Sequence, residues 1–90
     1  MMYLITYTLI PKHDATQIID EIKRSDGWAH DIDEAWMVVT KESVTELYDR
    51  LVPYFKKSDR LLIVELKPDA DYYGWLSKDI WDWISQYRNY

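Results

Sequence analysis

Residues 3–10 read YLITYTLI, and the alternation in this stretch sets the fold. Successive side chains of an extended chain point to opposite faces, so Tyr3, Ile5, Tyr7 and Leu9 share one face while Leu4, Thr6, Thr8 and Ile10 share the other. The first face is aromatic and aliphatic and suits a core. The second mixes hydroxyls with aliphatic groups. A strand with two such faces belongs to a sheet covered on one side by its own helices and left, on the other, to a further element, a second copy or a ligand.

Reading outward, Pro11 ends this strand, and Asp14 with Gln17 three residues on forms a capping-box pattern that opens a helix to about Arg24, with Ile18, Ile19 and Ile22 as its buried stripe. Ser25, Asp26 and Gly27 stop that helix. Two short strands, roughly Trp28–Asp31 and Ala35–Thr40, then flank an acidic turn at Ile32–Glu34 and make a hairpin. Ser43 with Glu46 is a second capping box, and Val44, Leu47, Tyr48 and Leu51 recur at helical spacing until Pro53, where the helix must kink or end. The segment LLIVEL, residues 61–66, is apolar on both faces apart from Glu65, as expected of a strand covered on each side or placed at a subunit interface. After Lys67-Pro68 the chain runs through DADYYGW into SKDIWDWI, with Ser77 as the N-cap of a short third helix.

The order is βαββαβ plus a helical tail. It predicts one α+β domain over residues 1–90, ferredoxin-like, in which two helices cover one face of a four-stranded antiparallel sheet. The core spans about residues 1–67 and the aromatic-rich C-terminal tail about 68–90. Ile5, Leu9, Ile18, Ile22, Val38, Leu47, Leu51, Leu62 and Val64 are expected to form the single core between helices and sheet.

Composition narrows the functional classes. Ninety residues suffice for one core, and a hydrophobic content of 48% with five tryptophans and eight tyrosines is that of a folding chain. The absence of cysteine excludes a disulfide framework and any thiolate metal site, and fits a reducing cytoplasm. Apolar runs reach only four or five residues, and no basic region leads into an apolar one, so the expectation is a soluble cytoplasmic protein without membrane contact. Eleven basic against 16 acidic residues give a net charge of −5, which argues against nucleic acid as partner, because a phosphate backbone calls for a basic stripe. The only basic clusters, Lys23-Arg24 and Lys56-Lys57, read as solvated helix ends.

YLITYTL at the start, GWAHDIDEAWMVV in the hairpin, SDRLLIVEL in the last strand and YYGWLSKDIWDWI in the tail together resemble a family of small uncharacterised bacterial proteins often labelled SinR-like. That family is similar in fold to the small CRISPR-adaptation subunit and to VapD-type endoribonuclease toxins. In those nuclease relatives an aspartate at the end of the first strand helps to hold a divalent metal between two subunits. Here the corresponding dipeptide is Tyr7-Thr8, and a neutral hydroxyl does not replace a carboxylate beside a hard cation. The resemblance therefore implies the fold and self-pairing and leaves catalysis without its ligand.

Other chemistry is sparse. HDIDE brings His30, Asp31, Asp33 and Glu34 within five residues, but hairpin turns collect acidic residues for conformational reasons, and His30, on the strand face of Trp28, is better placed for packing than for proton transfer. Glu65 is the one carboxylate inside an apolar run. Neither a nucleophile triad nor a phosphate-cradling glycine loop is present, and no catalytic residue, metal site or cofactor is assigned. Tyr3 or Tyr7 with Trp36 would imitate an RNA-stacking platform, but without the glycine- and lysine-rich third strand that goes with one. The tail concentrates Tyr72, Tyr73, Trp75, Trp81 and Trp83, residues favoured as interface anchors. The expectation is a non-catalytic binding or regulatory protein acting through protein–protein contacts, of the immunity, antitoxin or phage anti-defence kind. It forms a homodimer through Leu4, Thr6 and Thr8 and presents Tyr72, Tyr73, Trp75, Trp81 and Trp83 to itself or to a basic protein target. The alternatives are a metal-dependent nuclease of the CRISPR-adaptation or VapD type and an RNA-binding module.

Overall fold

Strand β1, Met2–Thr8, lies inside the sheet, hydrogen-bonded on both sides. The computed structural model describes residues 1–90. After β1 come α1 (Thr16–Ile22), β2 (Gly27–Ile32), β3 (Ala35–Val39), α2 (Val44–Leu51) with a 3₁₀ turn at Val52–Tyr54, β4 (Arg60–Leu66) and α3 (Lys78–Tyr87). The strands form one antiparallel sheet in the order β2-β3-β1-β4, leaving β2 and β4 as its edges. The edges differ. The β2–β3 register shifts between His30 and Ile32, whereas β4 pairs with β1 without interruption from Arg60 to Leu66.

Register assigns the faces. Ile5 lies opposite Trp36 and Ile63, so these three point the same way, as do Tyr3 with Val38 and Tyr7 with Leu61. This face carries the core: Tyr3, Ile5, Tyr7, Leu9, Trp36 and Val38 are buried against Ile18 and Ile22 of α1 and Leu47 and Leu51 of α2. Two expected members belong elsewhere. Leu62 opposes Thr6 and Val64 opposes Leu4, so both lie on the other face, and their places in the core are taken by the half-buried Leu61 and Ile63.

Local signals explain the helices. Ser43 and Glu46 make the full reciprocal capping box, and Pro53 converts the end of α2 into the 3₁₀ turn. At α1 the capping box does not form. Asp14 turns its carboxylate to the Thr16 amide and hydroxyl, at 3.0 and 2.6 Å, which satisfies the first free donor by an Asx-type turn. Arg50 joins the helices: its guanidinium donates to Glu42 (Nε 3.1 Å, Nη2 2.9 Å), to Ser25 Oγ at 2.9 Å, and to the carbonyl and carboxylate of the buried Glu21.

A second fastening links the loop after β1 to the loop before β4. The almost fully buried Asp59 carboxylate accepts the amides of Ile10 at 2.8 Å and Lys56 at 2.7 Å and meets His13 Nε2 at 3.1 Å. Burial alone pushes this carboxyl up, but the Lys56 and Ile10 amides and the His13 ring outweigh it and hold it at about 2. A carboxyl depressed on folding stabilises the fold above its unfolded value, about 3.9, and that contribution is lost as the pH falls through the folded value. Acid unfolding followed by tryptophan fluorescence is therefore expected to draw on Asp59 between about pH 4 and about pH 2, and Asp59→Asn should remove that part of the profile. An identical acid limb in the variant refutes this.

Candidate interaction surface

The sheet face away from α1 and α2 carries Met2, Leu4, Thr6 and Thr8 of β1, Ala35, Met37 and Val39 of β3, Gly27 and Ala29 of β2, and Leu62, Val64 and Leu66 of β4. Helix α3 covers half of it. Ile80, with Leu76 just before the helix, closes over Ala29, Met37 and Leu4, Ile84 is buried, and Trp83 and Tyr87 lie over Gly27. A side chain at Gly27 would meet Val39 Cγ2 at 2.9 Å and both rings at 3.7 Å, so the close approach of α3 requires a glycine there.

The other half of the face, over β1 and β4, is open. Leu62 keeps 57% of its surface in water and Val64 39%, Thr8 is exposed, and Thr6 and Leu4 are half-buried. The predicted face of Leu4, Thr6 and Thr8 is thus the side away from the two core helices, with Leu4 at the border of α3 and Thr6 and Thr8 beyond it. The β4 edge adds apolar surface on its other side. There Val44 and Tyr48 of α2, both exposed, stand across a groove of about 330 Å³ from Leu61 and Ile63.

The tail residues separate into three groups. Tyr72 lies against the Arg88 guanidinium, 5.1 Å from ring centre to Cζ, at the far end of α3. The Ser77 amide bonds to the Asp31 carboxylate at 2.7 Å at the near end, so residues 72–77 run back along the helix. Tyr72 and Leu76 are half-buried, and the intervening Tyr73 and Trp75 are fully exposed. Trp83 packs on Tyr87 with ring centres 5.1 Å apart, and Trp81 is half-buried. The five aromatics do not lie in one environment: Trp83 belongs to the helix packed over the sheet, and Tyr73 and Trp75 are fully exposed.

The acidic hairpin disperses in the same way. His30 stacks on Trp36 at 3.7 Å between ring centres and bonds the Asp33 carbonyl through Nε2 at 2.8 Å, while Asp31 is engaged with Ser77. No three His, Asp or Glu side chains converge in metal-binding geometry. Glu65 is exposed on the helix side of the β4 edge. No family model, curated protein or solved structure matches this chain. No helix is long and apolar enough to cross a membrane.

Sequence reasoning left open whether the last strand is covered on both sides or exposed at an interface. The signal was present in LLIVEL, where alternate positions are equally apolar, but such a pattern does not say which neighbour covers which face.

Proposed function

We propose that this is a non-catalytic binding protein that pairs with itself across the uncovered half of its sheet and covers a basic protein target. The observation that carries the reading is the pair of bare aromatic anchors, Tyr73 and Trp75, in the same chain as the open strip of Thr6, Thr8, Leu62 and Val64. Each such ring buries on the order of 150–250 Å² when covered, so four rings in a twofold pair supply about 600–1,000 Å², and the two strips bring the total toward the 1,200–2,000 Å² typical of a stable interface. A twofold axis sets identical faces against each other, and hydroxyls such as Thr6 and Thr8 find partners in such a contact. The net charge of −5 makes a basic protein surface the fitting target.

The ferredoxin-like reading has support in the strand order. Taken from the other edge it is 4-1-3-2, with α1 and α2 on one face, as expected for a split βαβ arrangement. The SinR-like resemblance is retained for fold and pairing alone, since Thr8 stands where the nuclease pattern has its carboxylate.

Sedimentation velocity of the wild type at micromolar concentration tests the pairing. A dimer is expected. Thr8→Asp, which puts like charges from both protomers into the interface, and Trp75→Ala, which removes an anchor, should each give a monomer with an unchanged circular dichroism spectrum. A monomeric wild type, or a dimer indifferent to both substitutions, overturns the proposal.

A further inference from the structure

On the helix side of the sheet, away from the open strip, a cleft of about 300 Å³ lies between the loop after β1 and the β2–β3 turn. Tyr7 forms its floor, Lys12 and His13 one wall, and Asp33 and Glu34 the other. We infer that this cleft binds a small amino-acid-like zwitterion, whose carboxylate meets Lys12 and Tyr7 and whose ammonium meets Asp33 and Glu34.

Unpaired opposite charges carry the argument. Lys12, Asp33 and Glu34 line one cleft, yet none of their side chains takes part in an ion pair of this protein, which are His13–Asp59, Arg24–Glu21, Arg50–Glu21, Arg50–Glu42 and Lys78–Asp82. A simple anion at Lys12 would face the two carboxylates, and a simple cation at the carboxylates would face Lys12. A ligand carrying both charges complements both walls. The volume sits at the low end for small-molecule sites, which suits a single amino acid rather than a nucleotide or a peptide.

The polar groups are also held in place. Asp59 accepts from His13 Nε2, which fixes the ring and its tautomer and leaves Nδ1 as an acceptor. Tyr7 is 5% exposed, with its backbone N–H tied to the Glu34 carbonyl at 3.1 Å, so the floor and the carboxylate wall move together. Its phenol ionises less readily than usual, through burial first and then the charge of Glu34 against a contact from Trp36, and so it keeps its proton as a donor. The Trp36 indole N–H beside it is buried without an acceptor at hydrogen-bonding geometry. A purely structural His13–Asp59 latch would need neither Lys12 nor the two carboxylates opposite.

Nuclear magnetic resonance titration of the full ¹⁵N-labelled chain with free glycine, L-glutamate and L-lysine decides the matter, with acetate and methylammonium as single-charge controls at matched ionic strength. At least one amino acid should shift the Ala15 and Glu34 amides saturably, and the controls should produce no saturable shift. Lys12→Gln and Glu34→Gln, which leave the His13–Asp59 latch intact, should each raise the apparent Kd about tenfold, the loss of one charged contact. Absence of saturation with all three amino acids, equal responses to the controls, or unchanged affinity in both variants overturns the inference. None of these outcomes bears on the pairing across the open face.

Discussion

Leu47→Ala is expected to destabilise the protein by about 2–5 kcal/mol, the range for removing a fully buried leucine from a core that closes only partly around the gap. Leu47 has no exposed surface and sits in the buried cluster that α2 shares with α1 and the sheet. A chain of this length has roughly 5–13 kcal/mol of stability in all, so one substitution can remove a third of it or more. Urea denaturation should show a lower midpoint with an unchanged slope. Leu62→Ala is the matched control, since that leucine lies on the open face, and at high dilution it should change the unfolding free energy by less than about 0.5 kcal/mol. Equal losses at both sites would mean that the faces have been assigned the wrong way round.

Arg50→Met should cost about 2–3 kcal/mol, less than the 3–5 kcal/mol of a fully buried pair because the Arg50 side chain retains 20% exposure. The loss comes less from the pair itself than from what stays behind. Glu21 is 9% exposed, and without Arg50 its carboxylate would keep only the Tyr54 hydroxyl, at 3.3 Å, and the distant Arg24 Nε, at 3.8 Å. The effect should depend on pH. The Arg50 hydrogen bonds hold the Glu42 carboxyl below the usual glutamate range, against its burial and with help from Thr40. A depressed carboxyl stabilises the fold above its unfolded pKa, and that stabilisation disappears as acid protonates it. Wild type and Arg50→Met should therefore differ most near neutrality and converge in acid. A gap that is constant with pH would assign Arg50 a packing role only.

How far the sequence discloses this molecule depends on whether a pattern is local. The alternation in YLITYTLI separates Tyr3, Ile5 and Tyr7 from Leu4, Thr6 and Thr8, because β1 has one face that is clearly apolar. The Ser43–Glu46 box is equally legible, since both partners lie within one turn. Strand β4 defeats the same reasoning: Leu61, Leu62, Ile63 and Val64 are all suitable for burial, and only the register with β1 assigns Leu62 and Val64 to the open side. The tail is rich in large apolar residues throughout, and its composition does not say which of them cover the sheet: Ile80 and Ile84 do, while Tyr73 and Trp75 are fully exposed. The cleft around His13 was out of reach. Its residues come from three separated loops, and the carboxylate that orients His13 is 46 positions further along the chain, at a spacing that carries no signature.

The unequal edges of the sheet also limit how large an assembly can become. Each copy has one straight, regularly paired outer strand, β4, while the opposite border at β2 is interrupted by the shift between His30 and Ile32, a distortion that discourages further strands from joining. The open face that the proposed pair would bury runs along this one receptive border. With only one border of each molecule suited to strand addition, stepwise lengthening of the sheet into a fibre is disfavoured.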